Sequence, residues 1–159
     1  MNEFNGKPIS YLDLLHLEKE LRDNIDSADY YHTFSVYYRQ DDNYNEDSIF
    51  TCLNRAVALD TSDYYYRLEL VSALIDVENY EEAENILLEK IPGPDHIDEW
   101  RQSLLNVYLY TSQYDKAIDL CKELLQSGFF NCSDLQQLKK AFKGQKAFET
   151  LIKNCKENR

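Results

Sequence analysis

Glycine and proline are scarce in this chain, with four Gly and three Pro in 159 residues. A β-sandwich or barrel needs many more turn residues than that, so the composition favours helices joined by short connections. Histidine is also scarce: His16, His32 and His96 are the only three, far apart in sequence. Metal-ligand spacing is absent, because Cys52, Cys121, Cys132 and Cys155 form neither C-x-x-C nor a paired C…H pattern. The cysteines read as reduced thiols in a core. No Gly-rich phosphate loop and no nucleophile elbow around a Ser exist. Long apolar runs are missing too, which excludes a membrane-spanning helix. Met1 to Ser10 is polar and lacks a signal-peptide core, so the expected compartment is cytoplasmic and reducing.

Positive charge is short overall. Seventeen Lys/Arg face 29 Asp/Glu, for a net charge of −12. The imbalance is uneven. Between Lys139 and Arg159 stand seven Lys/Arg against two Glu, which leaves about −17 on residues 1–138. An acidic body of this kind argues against nucleic acid, whose phosphates need cations. It fits a basic or apolar partner. The basic tail is expected to lie beside the acidic body or to favour a helix C-terminus.

What the chain does have is apolar spacing with a helical period, and a repeat. Tyr80-Glu81-Glu82-Ala83 returns as Tyr114-Asp115-Lys116-Ala117, 34 residues later. Leu70 returns as Leu104, Ala73 as Val107, Leu74 as Tyr108 and Leu87 as Cys121. A fixed period of this length means stacked helix pairs, each burying its apolar face on the next. The spacing predicts repeats over 28–62, 64–97 and 98–128. The turn of the first is about two residues longer than in those that follow. Ser10-Tyr11-Leu12-Asp13 resembles a capping box and opens a predicted N-terminal helix over 10–26, with Leu14, Leu17, Leu21 and Ile25 on one face. Ser133-Asp134-Leu135-Gln136 resembles a second box. It opens a degenerate repeat or cap over 133–156, interrupted by Gly144. The whole, 1–159, is expected to form a single domain.

These residues resemble the tetratricopeptide repeat family, whose repeat is 34 residues long. Tyr31, Phe34, Ser35 and Tyr38 occupy the first-helix signature slots of repeat one. Arg67, Leu70, Val71 and Leu74 occupy them in repeat two, and Arg101, Leu104, Leu105 and Tyr108 in repeat three. Ala83 and Ala117 keep the small residue of the second helix. Val71 and Leu105 replace the usual glycine, and Trp100 stands one place before the usual tryptophan slot.

The resemblance implies an all-α fold, an α-solenoid of antiparallel helix pairs in a right-handed superhelix. It implies a concave groove lined by the first helix of each pair, which binds a peptide segment. In this register His32, Val36, Tyr65, Leu68, Ser72, Ile75, Gln102, Asn106 and Leu109 line that groove. They are three and four apart within each helix, so each set forms one stripe. The stripes carry no set of cations, so the carboxylate clamp of some family members is not expected. The expected activity is non-catalytic protein binding, as adaptor, chaperone or assembly subunit. No metal and no cofactor are expected. The expected partner is a protein with an apolar or basic segment, and a homo-oligomer is compatible with the same surfaces. The alternative is an acidic regulatory or immunity-type protein that blocks a folded basic enzyme.

Overall fold

The structure, a computed structural model, describes residues 27–40 and 43–157 together with the isolated positions Leu12, Leu15 and Lys19. The predicted N-terminal helix over 10–26 otherwise lies outside the described residues. The described residues include eight bounded α-helices and the 3₁₀ turn Pro94–His96, and none of them is in a strand, so the fold is all-α. The helices are α1 (Ala28–Tyr38), α2 (Glu46–Leu59), α3 (Tyr64–Asp76), α4 (Tyr80–Glu89), α5 (Ile97–Tyr110), α6 (Tyr114–Ser127), α7 (Cys132–Leu138) and α8 (Lys146–Glu157). The chain divides into two compact units, Met1–Ala73 and Leu74–Arg159, and the division falls inside α3.

The turns inside the repeats carry the 34-residue register into the backbone. After α3, the Asn79 N–H donates to the Leu74 carbonyl at 2.8 Å, and after α5 the Gln113 N–H donates to the Tyr108 carbonyl at 2.8 Å. Glu78 and Ser112, one residue earlier, both take a left-handed conformation. This geometry satisfies helix C-terminal carbonyls that would otherwise lack a donor. In the first unit the matching bond runs from the Asn45 N–H to the Tyr38 carbonyl at 3.1 Å. It spans seven positions rather than five, which is the longer first turn that the sequence predicts.

In the first unit α1 packs against α2. Ile49, Leu53 and Ala56 of α2 are buried, as are Tyr64, Tyr66, Leu70, Val71 and Ala73 of α3. Ser35 takes the slot of Val71 and Leu105 and is itself buried, its hydroxyl donating to the His32 carbonyl at 2.7 Å. A buried hydroxyl needs such a partner.

In the second unit α5 packs against both α4 and α6. Leu104, Leu105, Val107 and Tyr108 of α5 and Ala117, Ile118, Cys121 and Leu124 of α6 are all buried. Trp100 explains its displaced position: its ring is buried and its indole N–H donates to the Leu87 carbonyl at 2.8 Å. Arg101, in the signature slot, instead reaches the surface and binds Asp98 at 2.9 Å and Glu123 at 2.8 Å.

The C-terminal cap differs from expectation in two respects. The capping box that opens α7 is built by Asn131 and Asp134, not by Ser133 and Gln136. The Asn131 side chain accepts from the Ser133 N–H at 2.7 Å, and the Asn131 N–H donates to Asp134 at 2.7 Å. The second correction concerns the thiols. Cys132 and Cys155 are joined in a disulfide, with Cα atoms 5.8 Å apart, whereas Cys52 and Cys121 are free. The bond ties the first residue of α7 to the last turn of α8. Beneath it, Phe142 stacks on Phe148 with ring centroids 3.9 Å apart, and Leu135 and Ile152 close the small core. Gly128 ends α6 and Gly144 breaks the chain before α8, both with positive φ that suits glycine.

Candidate functional site

Each first helix buries one stripe and leaves another at the surface. On α1 the exposed side carries His32 and Val36, both half-buried. On α3 it carries Tyr65, exposed at 47%, with Leu68 and Ser72 half-buried. These five belong to the first unit, and the fold brings three of them into one network. The His32 ring meets the Tyr65 ring edge-on at 5.1 Å and the Tyr66 ring at 5.7 Å. Ser72 enters through Arg39, whose guanidinium donates to the Ser72 hydroxyl at 3.2 Å and to Glu69 at 3.2 Å. Tyr66, with its ring buried, donates its hydroxyl to Asp29 at 2.6 Å.

Arg39, Glu69 and Asp29 are additions that the groove stripe omitted. The signal for Arg39 was present. It stands 36 residues before Ile75, and Leu109 follows Ile75 by 34, so all three share a slot once the longer first turn is counted. Asp29 shares the slot of Tyr65 by the same shift. Their roles were hidden because a slot does not say which charged groups meet across two helices.

The electrostatics follow from burial. Burial pushes the His32 imidazole below its ordinary value, against the opposite pull of the Glu69 and Asp29 carboxylates. Its Nε2 is buried and lacks a hydrogen-bond partner. Burial and the neighbouring Glu69 carboxylate raise the Tyr65 hydroxyl, and burial with the Asp29 bond raises Tyr66. Both phenols therefore stay protonated and able to donate.

The remaining candidates lie in the second unit. Ile75 is half-buried near the end of α3. Gln102 and Asn106 are exposed one turn apart on α5, with Leu109 half-buried beyond them. Glu99 stands one turn before Gln102, also exposed.

Nothing here is arranged as a nucleophile with its base. Ser35 donates to a backbone carbonyl and Ser72 accepts from Arg39, so neither serine is bonded to the imidazole. Among the described residues no group of three His, Cys, Asp or Glu side chains converges as for a metal ion. Among them also, no helix is long and apolar enough to cross a membrane.

No protein-family model matches the chain, and no curated protein sequence matches it. Among solved structures the crystal structure of MamA is similar, with a TM-score of 0.68 over 91% of this chain and 83% of MamA, at 20% identity. At that identity the likeness shows a shared all-helical fold and nothing further.

Proposed function

We propose that this chain is a tetratricopeptide-like, non-catalytic module that seats a segment of another protein on the first helices of its repeats. One observation carries the reading. In every repeat the slots beside the signature residues keep some access to solvent: Tyr65, Gln102 and Asn106 are exposed, and His32, Val36, Leu68, Ser72 and Leu109 are half-buried. Such stripes offer apolar area with a few fixed polar groups, the usual composition of a binding surface. Tyr65, Gln102 and Asn106 supply hydrogen bonds to a peptide backbone, while Val36, Leu68, Ile75 and Leu109 supply apolar contact. The carboxylates of Asp29, Glu69 and Glu99 favour a segment with basic flanks. As an adaptor, chaperone or assembly subunit, the module needs no cofactor.

The test is capture of partners from the native cell by the wild type and by Tyr65→Ala with Asn106→Ala, each checked for unchanged helicity. The reading expects loss of the captured partner and binding of a short partner segment in isolation. Undiminished capture by the double variant overturns it. A partner that binds only when folded, and is released by salt, points instead to an acidic blocker of a basic enzyme.

A further inference from the structure

We propose that the lysine turn between α7 and α8 is a docking surface for an acidic segment of a partner protein. None of its residues belongs to the peptide-binding stripes, so each surface stands without the other. Lys139, Lys140, Lys143 and Lys146 are all exposed. No Asp or Glu stands between Asp134 and Glu149, in a chain whose net charge is −12. Elsewhere in the same unit cations bind carboxylates: Lys116 pairs with Glu84, Lys122 with Asp119, and Arg101 with Asp98 and Glu123. Among the described residues these four lysines pair with no carboxylate, and Glu149, three residues after Lys146, pairs with none of them. Lys153 differs, being engaged within the chain.

Folding alone does not account for the cluster. Lys139 caps the C-terminus of α7, where a cation is favoured. Lys146 opens α8, where the helix dipole opposes it. Four like charges within eight residues also repel one another. The turn is nevertheless held in place. The Ala141 and Phe142 N–H groups donate to the Leu138 carbonyl at 2.9 and 3.2 Å, and the Gln145 N–H donates to the Phe142 carbonyl at 3.0 Å. Phe142 is buried against Phe148. The lysines are thus presented at low ordering cost. Between them Ala141, Gly144 and Ala147 are exposed, and a Cβ added at Gly144 meets nothing within 4 Å. A partner chain can therefore approach the lysines closely.

The candidate anions differ in what else they need. A bilayer needs an apolar anchor beside the cations, and no large hydrophobic side chain between Lys139 and Lys156 is exposed. A nucleic acid strand needs aromatic faces for its bases, and Phe142 and Phe148, the aromatics of the cap, are both buried. A duplex or a bilayer also extends past the turn, by more than the screening distance of about 8 Å, towards a chain that is otherwise acidic. An acidic segment needs only its carboxylates. The stretch from Lys139 to Lys146 reaches at most about 25 Å, so a segment of about eight residues spans it and ends with it.

Fluorescence polarisation tests this on the full chain, with a labelled peptide of alternating glutamate and serine, about eight residues long. The expected result is saturable binding at about 20 mM salt that is weakened at least tenfold at about 300 mM. Lys140→Glu with Lys143→Glu weakens it at least about tenfold at low salt. Lys116→Glu with Lys122→Glu makes the same change in net charge elsewhere in the unit and leaves affinity within about threefold. All four positions are exposed, and circular dichroism verifies that the variants stay folded. A wild type that leaves the peptide free at about 1 mM protein overturns the proposal, and so does equal loss in the two double variants. Phosphatidylserine vesicles and a single-stranded oligonucleotide are offered in parallel. Tighter binding of either one, lost in Lys140→Glu with Lys143→Glu, assigns the lysines to lipid or nucleic acid and overturns it. Self-association of the wild type in sedimentation velocity, lost in the same variant, assigns them to a second copy and overturns it as well.

Discussion

Glu78 and Ser112 stand 34 residues apart and hold the same left-handed backbone, with φ of 61° and 59°. Neither is a glycine, and a side chain in that region costs about 1–2 kcal/mol. Both turns tolerate the cost because the bonds to Leu74 and Tyr108 close the preceding helix. Glu78→Gly and Ser112→Gly are therefore expected to stabilise the protein by up to about 1 kcal/mol each, after the flexibility glycine adds to the unfolded chain. Urea unfolding checks this, as a higher midpoint with an unchanged slope.

Ala83 and Ala117 have no exposed surface. Replacing either with Leu overpacks its site, at a cost of about 1–3 kcal/mol. Thermal melts of the two variants should both shift down. If both melted like the wild type, the 34-residue register would be misplaced.

The His32 imidazole titrates below its ordinary 6.5 because burial disfavours its charged form. The unfolded chain thus binds the proton more readily than the folded one. The stability involved is complete above about pH 6.5 and is lost as pH falls through that value towards the folded pKa. Melts from about pH 7.5 to about pH 5.5 should show a steeper fall for the wild type than for His32→Gln. Parallel curves would show that another group governs that range.

Reduction of the Cys132–Cys155 bond frees a loop of 23 residues' separation. On the loop-entropy account this lowers stability by about 3 kcal/mol. Cys132→Ser with Cys155→Ser should unfold at lower urea than the oxidised wild type and match the reduced one. Cys121 is buried, its thiol pushed up to about 12 by burial, and should resist alkylation in the folded state. Equal stability of the oxidised and reduced protein would remove the bond from any structural role.

By itself the sequence determined the helical class, the 34-residue register, the longer first turn and the buried small residues at Ala83 and Ala117. These depend on side chains three and four apart on one helix, or on turns of a few residues, and such order is written locally. The tertiary structure alone decided which distant groups meet. Arg39 reaches Glu69 and Ser72 across 30 and 33 residues, Tyr66 reaches Asp29 across 37, and Cys132 reaches Cys155 across 23. Composition read all four cysteines as reduced thiols, which holds for Cys52 and Cys121 and fails for Cys132 and Cys155. The failure has a physical reason: a count of thiols does not say how far apart helix packing will hold them. Bonds and ion pairs act only over a few ångströms, so packing, rather than abundance, selects the partners.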